Sequence, residues 1–191
     1  MIEVLLQSFV IGLSGALSPG PLSASILGMN HKKPLLSTAG LVAGHGIVEL
    51  LVVFGISLGL RSLPFRTELA LLGGAVLVLF GVLQFRAGLG EGTRPSDGRN
   101  PFLAGAVLTI SNPYWWIWWL TFGAGFLALT PAYPEFFTGH IAADALWFGV
   151  LAMAASRGAE ILGEKYRWVV KGSGAAMAAF GILFAFSIFS A

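Results

Sequence analysis

Six long apolar stretches, near residues 4–27, 36–60, 67–88, 101–125, 136–157 and 167–190, take up almost all of the 191 residues. A bilayer core of ~30 Å is crossed by about 20 consecutive apolar residues in a helix, so each stretch has the length of one crossing. Composition excludes a soluble domain: 10% of the residues are charged and 56% are hydrophobic, whereas about 25% are charged in an average soluble chain. The expectation is therefore an all-α integral membrane protein of six transmembrane helices, one transmembrane domain over 1–191. The N-terminal stretch reads as the first span and not as a signal peptide. It carries Glu3 in place of a positive leader, and its apolar run outlasts the roughly 7–15 residues of a signal core.

Charge sets the expected orientation, because cytoplasmic loops are enriched in Lys and Arg. One side carries nine cations, Lys32, Lys33, Arg86, Arg94, Arg99, Arg157, Lys165, Arg167 and Lys171, and the other carries two, Arg61 and Arg66. That bias puts both termini outside the cytoplasm and the polar loop 89–100 inside it, in the cytoplasmic membrane. A net charge of +2 without a basic block gives no reason to expect nucleic acid. The absence of cysteine excludes disulfides, iron–sulfur clusters and thiolate metal sites. No Ser-His-Asp set, phosphate-binding glycine loop or HExxH motif is present, so neither an enzyme nor a cofactor is expected.

The two halves of the chain repeat a pattern. Ser18-Pro19-Gly20-Pro21 interrupts the first span and Ser111-Asn112-Pro113 interrupts the fourth. Gly44-His45, with Glu49 four residues on, follows the first break; Gly139-His140, with Asp144 four residues on, follows the second. With three spans per half (about 1–88 and 101–191), the second copy enters the membrane upside down, giving a 3+3 inverted repeat with broken helices 1 and 4. Paired breaks in inverted halves point to the binding site of a secondary transporter. A proline forces a helix to restart, and Asn112-Pro113 has the chemistry of an N-cap followed by a first helical residue. Each restart presents free N–H groups and a positive dipole end suited to a carboxylate. A simple proline kink is the plainer reading of either break taken singly.

Residues four apart share a helix face, so the spacing pairs His45 with Glu49 and His140 with Asp144. An intramembrane carboxylate is costly and faces a cavity or a partner. Acids and imidazoles held together can trade protons; a structural pair locking two helices is the alternative. The run Tyr114-Trp115-Trp116-Ile117-Trp118-Trp119 reads mainly as outer aromatic belt, with cation–π stacking on a substrate ammonium as the sharper option. Small residues at Gly73, Gly74 and Gly81 and at Gly172–Ala179 suit close helix packing, or a homodimer contact.

Taken together, Gly15-Ala16-Leu17-Ser18-Pro19-Gly20-Pro21, the spaced glycines of Gly40-Leu41-Val42-Ala43-Gly44, and Asn112-Pro113 make the sequence resemble the LysE/RhtB family of amino-acid exporters over its whole length. The resemblance implies a secondary carrier of small metabolites and assigns Pro19, Gly20, Pro21, Asn112 and Pro113 to the substrate site. The Gly-His-x-x-x-acid pairs depart from that family pattern, and related branches with a similar layout move metal cations. The leading expectation is proton-linked export of an amino acid in the lipid bilayer. Its carboxylate would meet the two restarts; its ammonium and the exchanged proton would meet Glu49 and Asp144, tuned by His45 and His140. The alternative is a divalent-cation transporter with His45, Glu49, His140 and Asp144 as ligands. A membrane scaffold without a transport cycle is the third reading.

Overall fold

The computed structural model describes residues 1–17, 20–28, 33–59, 66–88, 100–129 and 131–187. Pro19 and most of the loop 89–100 lie outside the described residues. Among those described there is no strand. The helices are α1 (Ile2–Ala16), α2 (Pro21–Gly28), α3 (Pro34–Ser57), α4 (Arg66–Gly88), α5 (Pro101–Ile110), α6 (Pro113–Trp118), α7 (Ala124–Leu129), α8 (Tyr133–Leu162) and α9 (Arg167–Ser187).

Proline punctuates this chain. Five of the nine prolines, Pro21, Pro34, Pro101, Pro113 and Pro134, stand in the first turn of a helix, where a missing N–H costs nothing and φ is already helical. Two of these starts are capped by asparagine. Asn100 Oδ1 accepts from Phe102 N at 3.0 Å, and Asn112 Oδ1 accepts from Tyr114 N at 3.1 Å. Both expected interruptions are present: α1 and α2 meet at a bend of 69°, and Ser111–Asn112 separates α5 from α6. The fourth apolar stretch is further divided by a π-helical turn, Trp119–Gly123, which no residue pattern announces. The fifth helix outruns its expected 136–157 because Pro134 starts it earlier and Gly163, at φ 52° and ψ −126°, stops it later. Past Gly163 a 3-10 turn, Gly163–Tyr166, leads into α9.

By length and apolarity, Pro34–Ser57 is long enough to cross a bilayer, the run Tyr133–Leu183 is too, and α1 with α2 qualifies as one bent span. Gly74–Arg86 and Pro101–Ile110 are shorter apolar segments. The surface is apolar: Leu51, Phe54, Leu72, Leu183 and Phe186 are all exposed. The interior holds the ionisable groups, His45, Glu49, His140 and Asp144. That distribution is the reverse of a water-soluble protein and suits a lipid surround.

The helices pack in matched pairs. α1 lies against α8 as α5 lies against α3; α4 packs on α9, and α3 on α8. On the α3–α5 contact there is no room for a side chain at Gly44, against the Phe102 carbonyl, or at Gly105, against the Leu41 carbonyl. The short α2 is held by two side chains: Gln84 Nε2 donates to Ala24 O at 2.7 Å, and Tyr166 donates to Leu27 O at 3.1 Å.

Candidate functional site

α3 and α8 cross with one histidine and one acid from each on the shared face. The four side chains are almost fully withdrawn from the surface, with Glu49 at 0% exposure and His140, the most exposed, at 4%. The expected same-helix pairs are present, His45 Nε2 to Glu49 Oε1 at 3.2 Å and His140 Nε2 to Asp144 Oδ2 at 3.8 Å. The contacts across the helices fall in the same range. His140 Nε2 lies 3.2 Å from Glu49 Oε1, and His45 Nε2 lies 3.3 Å from Asp144 Oδ2. The two pairs therefore close into one ring of four, in which each imidazole faces both acids. Two carboxylates in a dry interior are tolerable only with such partners, and every member of this ring can pass a proton to a neighbour.

Members of the aromatic run complete the site, together with Thr109, Phe136 and Phe148, which sequence reasoning does not single out. The Trp115 indole N–H donates to Glu49 Oε1 at 3.4 Å, and Thr109 Oγ1 lies 2.7 Å from His45 Nδ1. Trp118, Trp119 and Phe136 surround His140 at ring separations of 4.8, 5.1 and 5.9 Å. Trp115 and Phe148 flank His45 at 6.2 and 6.1 Å. The aromatic run thus divides by helix face. Tyr114 and Ile117 point outward, whereas Trp115 and Trp119 are buried; the outer-belt expectation is wrong for the inward members. A 3.6-residue period separates the two sets and was the available signal. These rings exclude water, which strengthens every polar contact inside the ring of four.

The breaks connect to the cluster by different routes. From the second break, Asn112 caps α6 and Pro113 opens it, and Trp115 one turn on touches Glu49. From the first, Gly20 O accepts from Ala24 N at 2.9 Å as α2 begins at Pro21. α2 then approaches the cluster through Leu22 and Ile26, which share an apolar core with Phe148. On the other side of that break, the last turn of α1 meets the site through Gly15, where an added Cβ would lie 3.5 Å from Trp118 Nε1.

A metal reading of the site meets a smaller ligand set than the sequence suggests. His45, Glu49 and Asp144 offer atoms within 4.8 Å of one another, and His140 stands outside that group. The four-ligand cage reduces to three.

The profile of LysE type translocators matches residues 13–187. The chain belongs to the LysE type translocator family. It is accordingly a multi-pass membrane transporter. Among curated relatives, this LysE-type translocator is similar to the chemotactic transduction protein ChpE of Pseudomonas aeruginosa, with 27% identity over 161 residues, covering 77% of this chain and 79% of that protein. No solved structure matches it.

Proposed function

We propose that this LysE-type translocator is a proton-coupled secondary transporter that exports amino acids or similar small metabolites across the cytoplasmic membrane. It crosses the bilayer six times as a 3+3 inverted repeat, with both termini outside the cytoplasm. One observation carries the reading: the closed ring of His45, Glu49, His140 and Asp144. A purely structural ion pair needs one acid and one base, whereas here each half contributes both and the pairs interlock. Buried ionisable residues in membrane segments mark substrate and proton pathways. The substrate ammonium and the exchanged proton compete for Glu49 and Asp144, and the substrate carboxylate is received at the restarts beginning Gly20-Pro21 and Asn112-Pro113. Matched packing of α1 on α8 and α5 on α3 supports alternating access by rocking of one half against the other.

The test is transport by purified protein in liposomes under an imposed pH gradient, with an amino-acid panel and a divalent-cation panel. The expected result is amino-acid movement that follows the proton gradient and is lost in Glu49→Gln and Asp144→Asn. Cation uptake with no amino-acid movement, abolished by His45→Gln, would transfer the site to the metal reading, because that substitution then removes a direct ligand. Normal amino-acid transport in both acid variants would remove the ring from the mechanism.

A further inference from the structure

The two histidines of the ring occupy matched positions, yet their Nδ1 atoms meet different surroundings. Register along the matched contacts shows where. On α3, Gly44 lies against the Phe102 carbonyl and Ala106 amide of α5; on α8, Gly139 lies against the Leu5 carbonyl and Phe9 amide of α1. Gly105 against the Leu41 carbonyl corresponds to Ser8, whose hydroxyl donates to the Phe136 carbonyl. One turn further along, Thr109 stands beside His45, and its counterpart beside His140 is Gly12.

The hydroxyl of Thr109 has one proton, and its position follows from its neighbours. Thr109 Oγ1 lies 2.7 Å from Gly105 O and 2.7 Å from His45 Nδ1. Two oxygens at that separation need a hydrogen between them, and a carbonyl has none to give. The threonine proton is therefore on the Gly105 carbonyl, and Oγ1 is left to accept from His45 Nδ1–H. At His140 the situation is reversed. Its Nδ1 is buried with no hydrogen-bond partner among the described residues, and a Cβ on Gly12 would come within 3.1 Å of it. Its Nε2 lies 3.2 Å from Glu49 Oε1.

We infer that Thr109 is a positioning residue that fixes His45 as the Nδ1–H tautomer, while Gly12 leaves His140 to carry its proton on Nε2. This rests on reading the ring as the transport site, and it gives the two histidines different work there. With Nδ1 committed to Thr109, His45 gains or releases a proton only at Nε2, toward Glu49 and Asp144. His140 is a standing N–H donor to Glu49. The titratable groups around His45 are Glu49 on its own helix and His140 and Asp144 on α8; α5 contributes Thr109 and α6 contributes Trp115, neither of which ionises in the working range.

Ring-15N histidine NMR on the full-length protein reads the tautomers directly, with the third histidine assigned through His31→Gln. The expected spectrum has a proton-bearing Nδ1 on His45, and a bare Nδ1 with a proton-bearing Nε2 on His140. A bare Nδ1 on His45, or the same tautomer on both, overturns the inference without any need for a Thr109 variant to fold. Transport gives a second reading. Thr109→Val is expected to displace the midpoint of the pH profile by about 0.5–1 unit, the equivalent of one hydrogen bond, and Thr109→Ser to restore it. An unmoved midpoint in folded Thr109→Val also overturns the inference. Failure of the transport reading shows elsewhere, as normal activity of Glu49→Gln and Asp144→Asn, and the spectrum still reports the two tautomers independently of it.

Discussion

The helix pairs α4–α9 and α3–α8 are joined in opposite ways. Between α4 and α9 the backbones touch through glycine: a Cβ on Gly81 would lie 2.6 Å from Gly174 O, and one on Gly74 would lie 2.7 Å from Gly181 O. No ionisable group of the described residues is buried there. Between α3 and α8 the contact is made by four ionisable side chains. Van der Waals contact between backbones has one good arrangement and is lost by small displacements. A ring of acids and imidazoles has several, one for each placement of its protons. The first pair is built as a frame; under the proposed function, the second is the element that responds to protons and substrate.

That contrast can be broken first on the frame. Gly81→Leu should cost about 3 kcal/mol of stability through overpacking, read as a lower melting temperature in detergent. Next in size, Glu49→Gln and Asp144→Asn should each lower transport roughly a hundredfold, the scale of a lost proton-transfer group. Their melting temperature should hold or rise, since a buried charge is removed. Stability lost and activity kept in the acid variants would make α3–α8 a second frame. Trp115→Phe sharpens the comparison: the ring beside His45 is retained and the N–H to Glu49 is lost, so transport should fall about three- to tenfold, one hydrogen bond's worth. The smallest effect is expected from Asn112→Ala, about 1 kcal/mol for a helix cap, measured by thermal melts, with activity falling only if α6 must be held in place for Trp115 to reach Glu49.

Much of the frame was legible in the sequence, because bilayer thickness fixes helix length and proline fixes helix starts. Among the described residues the apolar stretches and the two breaks correspond to helices and interruptions, the fourth stretch with an added π-helical turn. The site was legible only in part. Four-residue spacing reports neighbours on one helix, so it gave His45 with Glu49 and His140 with Asp144; the cross-helix contacts depend on how α3 crosses α8, which spacing does not encode. Thr109 passed unnoticed because a lone threonine in an apolar span usually satisfies itself on its own helix, and it does so here, on Gly105 O, while also serving His45. The π-helical turn at Trp119–Gly123 begins at a ring packed on His140 and Phe136, tertiary contacts that no sequence pattern encodes.

The corner at Gly163 separates two reasons for a glycine. Gly44 and Gly105 lack a side chain because a carbonyl stands where one would go, whereas nothing lies within 4 Å of a Cβ built on Gly163. There the constraint is handedness: φ 52° and ψ −126° are the mirror image of an ordinary extended conformation for L-residues. A D-amino acid would find this corner unstrained. Semisynthesis placing D-alanine at 163 should stabilise the chain by about 0.4–1 kcal/mol, through fewer states in its unfolded form, where L-alanine would destabilise it. Chirality alone would set the sign.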